Sequence, residues 1–147
     1  MNNRIKNVEL LEGVFGRIPS FHDAEVLTVT LDRKYNSERT PTMSALIRAF
    51  SSTGAKYDVQ ITFIGLFGLK LENFNQQNVL GSLSIEQFKG NVPDNLLNDV
   101  RLKGFINERT TGDLRFYVKF DYCFGVEADL FCNTVVIDTV TAVENNL

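Results

Sequence analysis

Apolar and polar residues alternate with a period of two in several segments of this 147-residue chain. The clearest alternation lies between residues 57 and 63, where Tyr57, Val59, Ile61 and Phe63 are separated by single polar residues. Successive side chains of a β-strand point to opposite faces, so this spacing predicts a strand that buries one face in a core. A chain that repeats the pattern is constrained to a sheet with one apolar side.

Five further segments show the same period and are predicted to be strands. Residues 79–88 fit a helix face as well as a strand, and the sequence leaves them open. Within the apolar run 64–69, Gly65 and Gly68 indicate a bulge or a close approach of another backbone. The five segments and their predicted core residues are 25–32 (Leu27, Val29, Leu31), 43–50 (Met43, Ala45, Ile47, Ala49), 114–122 (Leu114, Phe116, Val118, Phe120, Tyr122), 126–132 (Val126, Ala128, Leu130, Cys132) and 135–139 (Val135, Ile137, Thr139).

One short helix is predicted at residues 7–15, where apolar side chains recur at spacings of three and four. Gly16 and Pro19 end it, because glycine adopts left-handed backbone angles and proline donates no backbone hydrogen bond. Strands joined by short polar turns pair antiparallel. The sequence therefore predicts a mainly β fold of the α+β class: an antiparallel, meander-like sheet with one or two short helices packed on it. Its length suits a single domain spanning residues 1–147.

The charge and hydropathy of the chain exclude several classes of partner. With 15 Lys and Arg against 18 Asp and Glu, the formal net charge is −3, too small to indicate electrostatic binding of nucleic acid. The first residues lack the apolar run of a signal peptide, and no segment reaches the roughly 20 apolar residues of a membrane-spanning helix. We therefore expect a cytoplasmic protein that binds neither nucleic acid nor membrane.

Residues that hold metals or cofactors are scarce in the sequence. His22 is the only histidine, which excludes a site with two His ligands. Cys123 and Cys132 lack the CxxC spacing, and in a reducing compartment they are interpreted as small buried hydrophobic residues, without a disulfide. Glycine-rich phosphate loops and the nucleophile-elbow motif do not occur. The sequence predicts no metal, no cofactor and no catalytic residue.

The densest group of reactive side chains lies in the segment 19–26, where His22, Asp23 and Glu25 precede a predicted strand. As a functional site, they would serve a small hydrolase or a ligand-binding domain. As a structural feature, Ser20 followed by Asp23 resembles the capping box of a single helical turn, with His22 and Asp23 as a polar pair. Structure or binding is favoured, because one histidine without a second positioned partner rarely suffices for acid–base catalysis.

A second candidate is the loop 73–78, in which five amide side chains surround Phe74. Amides both donate and accept hydrogen bonds, so the loop is suited to contacting the backbone of a partner protein. The alternative is a set of Asx turns that close the connection, with Phe74 anchored in the core. The sequence leaves both interpretations open.

A third candidate is the polar face of the C-terminal strands. Asp121, Glu127 and Asp129 lie on this face, with Tyr117 and Tyr122 nearby in the sequence. Acidic residues mixed with exposed tyrosines suit a basic partner. A solvated sheet face without a ligand is the more common alternative for such residues.

Two motifs stand in order along the chain, FGRIPSFHDAEV at residues 15–26 and NFNQQNVL at 73–80, with LDR at 31–33 between them. They resemble the immunity protein 50 family of bacterial polymorphic toxin systems. The resemblance implies a small, mostly β, non-enzymatic protein that binds and neutralises a toxin made by the same or a neighbouring cell. The positions that carry it, and that are binding candidates on this basis, are Ser20, Phe21, His22, Asp23, Glu25, Phe74, Asn75, Gln77 and Asn78.

Two functions from different classes follow. The leading hypothesis is a protein that binds and occludes its cognate toxin, and the rival is a small hydrolase or ligand-binding domain built on His22, Asp23 and Glu25. Self-association through unpaired strands at the edges of the sheet is a further possibility, because such strands present unsatisfied backbone groups.

Overall fold

The mainly β fold predicted from the alternation is confirmed. The computed structural model describes residues 5–33, 41–90, 92–97 and 114–144. Within these ranges the segment 79–88, which the sequence left open, is a strand, and the predicted helix begins two residues later than expected. In chain order the elements are α1 (Glu9–Phe15), β1 (Glu25–Asp32), β2 (Thr42–Phe50), β3 (Lys56–Ile64), β4 (Gly68–Glu72), β5 (Val79–Lys89), α2 (Asp94–Leu97), β6 (Leu114–Phe124), β7 (Glu127–Cys132) and β8 (Thr134–Ala142).

The eight strands form one sheet in the order β4-β7-β6-β5-β1-β2-β3-β8, and neighbouring strands are antiparallel. Two three-stranded meanders, β1-β2-β3 and β5-β6-β7, lie side by side and meet at β1 and β5. The strands β8 and β4 extend the two meanders at the outer edges. Neither helix in the described ranges is long and apolar enough to cross a membrane.

The sheet folds back on itself so that its two halves enclose one core. Phe63 in β3 and Phe120 in β6 are separated by three strands in the sheet order, yet their rings meet edge to face with centroids 6.0 Å apart. Both side chains are fully buried. Apolar faces that meet in this way exclude water from both halves at once, as in a sandwich of two sheets.

The predicted core rows of β2 and β3 are confirmed. All four apolar residues predicted to face inward from β2 are buried, and so are Val59, Ile61 and Phe63 of β3. Tyr57, the first residue of the predicted β3 row, is half-buried. The pairing of the two strands is regular along their whole length, so the period of two is uninterrupted. Regular pairing is the condition under which alternation alone identifies the buried face.

The predicted core row of β1 is wrong at Leu31, whose side chain is 55% exposed. The pairing with β2 passes from Val26 directly to Thr28, which leaves Leu27 as the extra residue of a β-bulge. The bulge therefore places Val26 in the core instead of the predicted Leu27, whereas Val29 packs against the core as predicted. Leu31 is in register with the buried Met43, so the bulge does not account for its exposure near the end of the strand.

The predicted row of β8 is confirmed at Val135 and Ile137 but is wrong at Thr139, which is exposed. The pairing with β3 skips Asp138, and the residue that packs against the core beyond this irregularity is Val140. A single extra residue in a strand therefore reverses the prediction for the positions that follow it.

The polar face of β6 and β7, predicted to be solvated, is covered over part of its length. Tyr117 and Asp129 are buried, and the hydroxyl of Tyr117 donates to a carboxylate oxygen of Asp129. Val92 and Leu96, from the segment around α2, pack with Tyr117 and Phe131 in a second apolar cluster. Tyr117 and Asp129, which belong to the third candidate site, are therefore part of the interior.

Arg115 is the charged residue of this second cluster and is also buried. Its guanidinium lies 4.6 Å from the ring centroid of Phe67 and 5.3 Å from that of Phe88. It also donates a hydrogen bond to the backbone oxygen of Gly90. Aromatic faces attract a cation, and a bond to a carbonyl satisfies a donor, so both contacts offset the cost of burying the charge.

The close backbone approach predicted at 64–69 is confirmed at Gly65, since the N–H of Asn133 donates to the backbone oxygens of Ile64 (3.0 Å) and Gly65 (3.2 Å). The φ angle of Gly65 is 75°, and a Cβ atom there would lie 2.5 Å from Nδ2 of Asn133. The chain therefore needs glycine at this turn, after which it leaves β3 and enters β4 in the other half of the sheet.

The contact between Phe63 and Phe120 gives a direct test of the folded-back sheet. We expect Phe63→Ala to lower the free energy of unfolding by about 3–5 kcal/mol, because it leaves a cavity where the two halves meet. A matched control is Phe50→Ala, since Phe50 is 45% exposed and its truncation is expected to cost less than about 1 kcal/mol. Denaturant titration measures both values, and equal costs for the two variants would contradict this packing.

Candidate functional site

The two family-like motifs, which are 47 or more positions apart in the sequence, lie side by side where the halves of the sheet meet. The strands β1 and β5 share a single register pair, Glu25 with Val79. Additional backbone bonds extend this short contact along segments 20–26 and 78–83. The backbone N–H groups donate from Asp23 to Leu80 (2.9 Å), from Val26 to Asn78 (2.8 Å), from Leu80 to Ala24 (2.8 Å) and from Leu83 to Ser20 (2.8 Å).

The turn before β1 has a strained backbone and a buried anchor. Phe21 and Asp23 have φ angles of 59° and 63°, in the left-handed region that side chains other than glycine rarely adopt. The N–H of His22 donates to Oγ of Ser20 at 3.3 Å, and the N–H of Ala24 donates to the backbone oxygen of Phe21. The structure therefore has a tight turn here, and the predicted helical capping box is wrong.

His22 and Asp23 form an exposed pair on this turn. Nδ1 of His22 lies 3.2 Å from a carboxylate oxygen of Asp23, and the two side chains are 69% and 65% exposed. Solvent weakens a pair of this kind, which adds little to stability. The polar pair predicted from the sequence is therefore present, but it lies at the surface.

Glu25 is directed to different partners from those of His22. It is in register with Arg48 of β2, whose guanidinium donates to Asp58 at 2.9 and 3.1 Å. The hydrogen bond to Asp58 raises the pKa of Arg48, and the charge of Glu25 contributes to the same shift. Glu25 therefore belongs to a line of charges across β1, β2 and β3.

The side chain of Asn78 holds the loop 73–78 in place from inside. It is only 3% exposed. Its Oδ1 accepts from the N–H of Asn75 (2.8 Å) and from the N–H of Val126 (3.1 Å), and its Nδ2 donates to the backbone oxygen of Asn75 (2.8 Å). One buried amide thus joins its own loop to the turn between β6 and β7. We call this set of three bonds the Asn78 clamp.

Gly125 allows the turn between β6 and β7 to approach the Asn78 clamp. Its φ angle is 87°, and a Cβ atom there would lie 2.7 Å from Oδ1 of Asn78 and would also overlap the backbone oxygen of Gln77. A side chain at this position would therefore push the loop and the turn apart.

An open groove of about 440 Å³ lies between the loop and the end of β6, and we call it the amide–aromatic groove. Three aromatic side chains are exposed at or beside it: Phe74 is 47% exposed, Tyr122 is 56% exposed and Phe124 is 58% exposed. Of the two interpretations left open for this loop, the one that anchors Phe74 in the core is therefore wrong. The groove is lined by Asn73, Asn75, Tyr122, Cys123, Phe124, Gly125 and Glu127.

The alternation predicted Tyr122 to lie in the core row of β6, and no pattern in the sequence identified Phe124. The pairing of β7 with β6 ends at Phe120, opposite Ala128, so the last residues of β6 extend beyond that partner. The register with β5 also shifts at this end of the strand. The available signal was Gly125, since a glycine directly after an aromatic run marks the turn at which the sheet ends.

The nine motif positions divide between surface and interior. Phe21 and Asn78 are buried, and Glu25 is half-buried. The structure brings the two motifs together at the β1–β5 junction. It also places Asn75 in the amide–aromatic groove. The exposed positions are Ser20, His22, Asp23, Phe74, Asn75 and Gln77.

The two cysteines differ, and the prediction that both are buried is wrong for Cys123. Cys123 is exposed at the end of β6, where it lines the groove, whereas Cys132 is fully buried. Burial raises the pKa of the Cys132 thiol to about 12, because the apolar surroundings disfavour the thiolate. Both are free thiols.

The Asn78 clamp predicts a large effect from one buried amide. We expect Asn78→Ala to lower the free energy of unfolding by about 2–4 kcal/mol, because it leaves backbone groups of Asn75 and Val126 without their partner. Gln77→Ala is the control, since this neighbouring amide side chain is exposed, and we expect a change within about 0.5 kcal/mol. Chemical denaturation compares the two, and an unaffected Asn78→Ala variant would rule out the clamp.

The two thiols should differ in reactivity. At pH 8 we expect iodoacetamide to alkylate Cys123 in the native protein and to leave Cys132 unmodified. The raised pKa keeps Cys132 protonated at every pH well below about 12, and its burial also excludes the reagent. Mass spectrometry of the digested protein locates the adduct, and unfolding in guanidinium should expose both thiols. Native modification of Cys132 at the rate of Cys123 would contradict the burial.

A comparison with protein families matches residues 7–142 to the family described as immunity protein 50. No curated protein and no solved structure matches the chain. The matched range contains α1, all eight described strands, both motifs and every residue of the amide–aromatic groove. On this match, which covers nearly the whole chain, the protein belongs to the immunity protein 50 family.

Proposed function

We propose that this protein neutralises a bacterial toxin by binding it directly and covering the surface that the toxin needs for its activity. The observation that carries the proposal is the match to an immunity protein family over residues 7–142. A protein that inhibits by occlusion needs a shaped and rigid surface and no reacting groups of its own. The partner is then a cognate toxin of a polymorphic toxin system, and the complex forms in the bacterial cytoplasm.

The geometry at the motif positions supports binding as their role. The exposed residues His22, Asp23, Phe74, Asn75 and Gln77 are available to a partner. Ser20 and Glu25 flank the strained turn, while the buried Phe21 and Asn78 hold their segments in position. We propose that the exposed positions contact the toxin and that the buried ones keep the surface rigid.

The rival function, a small hydrolase or ligand-binding domain, has weaker support from the geometry. The cleft beside His22, which Phe21 and Phe50 also line, has a volume of about 200 Å³, below the roughly 300–1,000 Å³ of typical ligand pockets. The pair of His22 and Asp23 is largely exposed, and Glu25 is in register with Arg48. The three groups are thus divided between two environments.

The test is protection of cells from the toxin encoded beside this gene. Cells that express the toxin are expected to survive when they also express this chain and to die with an empty vector. A specific complex should bury about 1,200–2,000 Å² in total and survive gel filtration. Death of cells that contain the folded protein, or separate elution of the two purified proteins, would refute direct neutralisation.

Titration separates a binder from an enzyme, since each bound chain inactivates one toxin molecule. With purified proteins well above the dissociation constant, toxin activity is expected to fall linearly to an end point near one chain per toxin. An enzyme that modified or degraded the toxin would reach the end point at a small fraction of that ratio, given time. Gel filtration of the chain alone in the same series measures self-association.

A further inference from the structure

We propose that the amide–aromatic groove is the surface that receives the toxin, and that its occupant is a basic segment of the toxin that presents a Lys or Arg side chain. The inference rests on the proposed function, because it names the docking surface of the neutralising complex. It is carried by three features of the groove: exposed aromatic rings, an excess of carboxylates, and a rigid framework.

The aromatic rings mark this end of the sheet as a contact surface. Among the described residues, four aromatic side chains are exposed, and Phe74, Tyr122 and Phe124 are three of them. Exposed aromatic rings are unfavourable in water, whereas at interfaces they bury a large area with little loss of side-chain entropy. Tyrosine is also among the residues that dominate binding energy at protein interfaces.

The charge around the groove is acidic. Glu127 is the one charged residue among those that line the groove, and Glu72 and Asp121 are next to lining residues in the sequence. Glu72 and Glu127 are directly opposite each other in the pairing of β4 with β7. Like charges in that position are destabilising, and Lys70, whose Nζ lies 3.0 Å from Glu72, offsets part of the repulsion. A cation from a partner would relieve the remainder.

The same charges select a basic partner over a second copy of this chain. A symmetric dimer through the groove would bring Glu127 of both copies into one interface, and no Lys or Arg lines the groove to neutralise them. A Lys or Arg side chain would instead be attracted to the carboxylates and to the exposed faces of Tyr122 and Phe124. Charge complementarity therefore favours a basic segment of another protein.

The framework of the groove is formed before any partner arrives. The Asn78 clamp fixes the backbone of Asn75 on one side and that of Val126 on the other, and Gly125 permits their close approach. A surface that is already ordered loses little conformational entropy on binding, which raises the affinity that the aromatic and acidic residues provide.

The test measures the affinity of the full chain for the toxin domain encoded beside its gene, by isothermal titration calorimetry. We expect Tyr122→Ser combined with Phe124→Ser to weaken binding at least 30-fold, roughly the loss at an interface hot spot. We expect Glu127→Lys to weaken it about 10-fold or more and to reduce its sensitivity to salt. The controls are Leu31→Ser, which removes an exposed apolar side chain that lines neither the groove nor the cleft beside His22, and Glu9→Lys, which makes the same charge change outside the groove. Both should bind like the original chain.

Cys123 provides a second measurement that needs no variant. Because it lines the groove, bound toxin is expected to slow its alkylation at least 10-fold, whereas Cys132 is unreactive with or without toxin. This result stands even if a groove variant fails to fold, which thermal melting would reveal.

The outcomes distinguish the two proposals. If the original chain binds the toxin while Cys123 stays reactive and the groove variants bind normally, the groove is not the docking surface and the proposed function stands. The same holds if Leu31→Ser or Glu9→Lys is the variant that loses affinity. If the folded original chain does not bind the toxin at all, the proposed function fails, and this inference fails with it.

Discussion

The hydrogen bonds between segments 20–26 and 78–83 are the constraint on which the rest of the structure depends. They join two meanders that are otherwise connected in the sheet by one register pair of β1 and β5. The contact of Phe63 with Phe120 across the core requires both meanders to be in place. The strained φ angles of Phe21 and Asp23 are therefore tolerated where the junction needs the chain to turn sharply.

The period of two in the sequence was sufficient to predict where most strands lie and which faces of β2 and β3 are buried. It failed where a strand contains an extra residue, as at Leu27 and Asp138, because a bulge changes the face without changing the composition. It also failed at Tyr117, since alternation identifies the polar face of a strand but not the segment that packs over it. Both failures concern contacts made by residues distant in sequence.

The candidate site was predictable only in part, for the same reason. Local composition identified the 19–26 and 73–78 segments as unusual, and the family resemblance linked them to toxin immunity. That the two segments lie side by side depends on the order of strands, which one sequence does not specify. The importance of Phe124 depends on where β7 stops pairing with β6, and that is likewise a property of the folded sheet.

The Asn78 clamp has a consequence for how this surface changes over time. Its bonds reach only main-chain atoms of Asn75 and Val126, and the side chains that line the groove take no part in them. Mutations at those lining positions are therefore free to accumulate without loss of the scaffold, provided that Asn78 and Gly125 persist. When the toxin changes, the residues that line the groove can therefore be substituted to restore binding with little loss of folding stability.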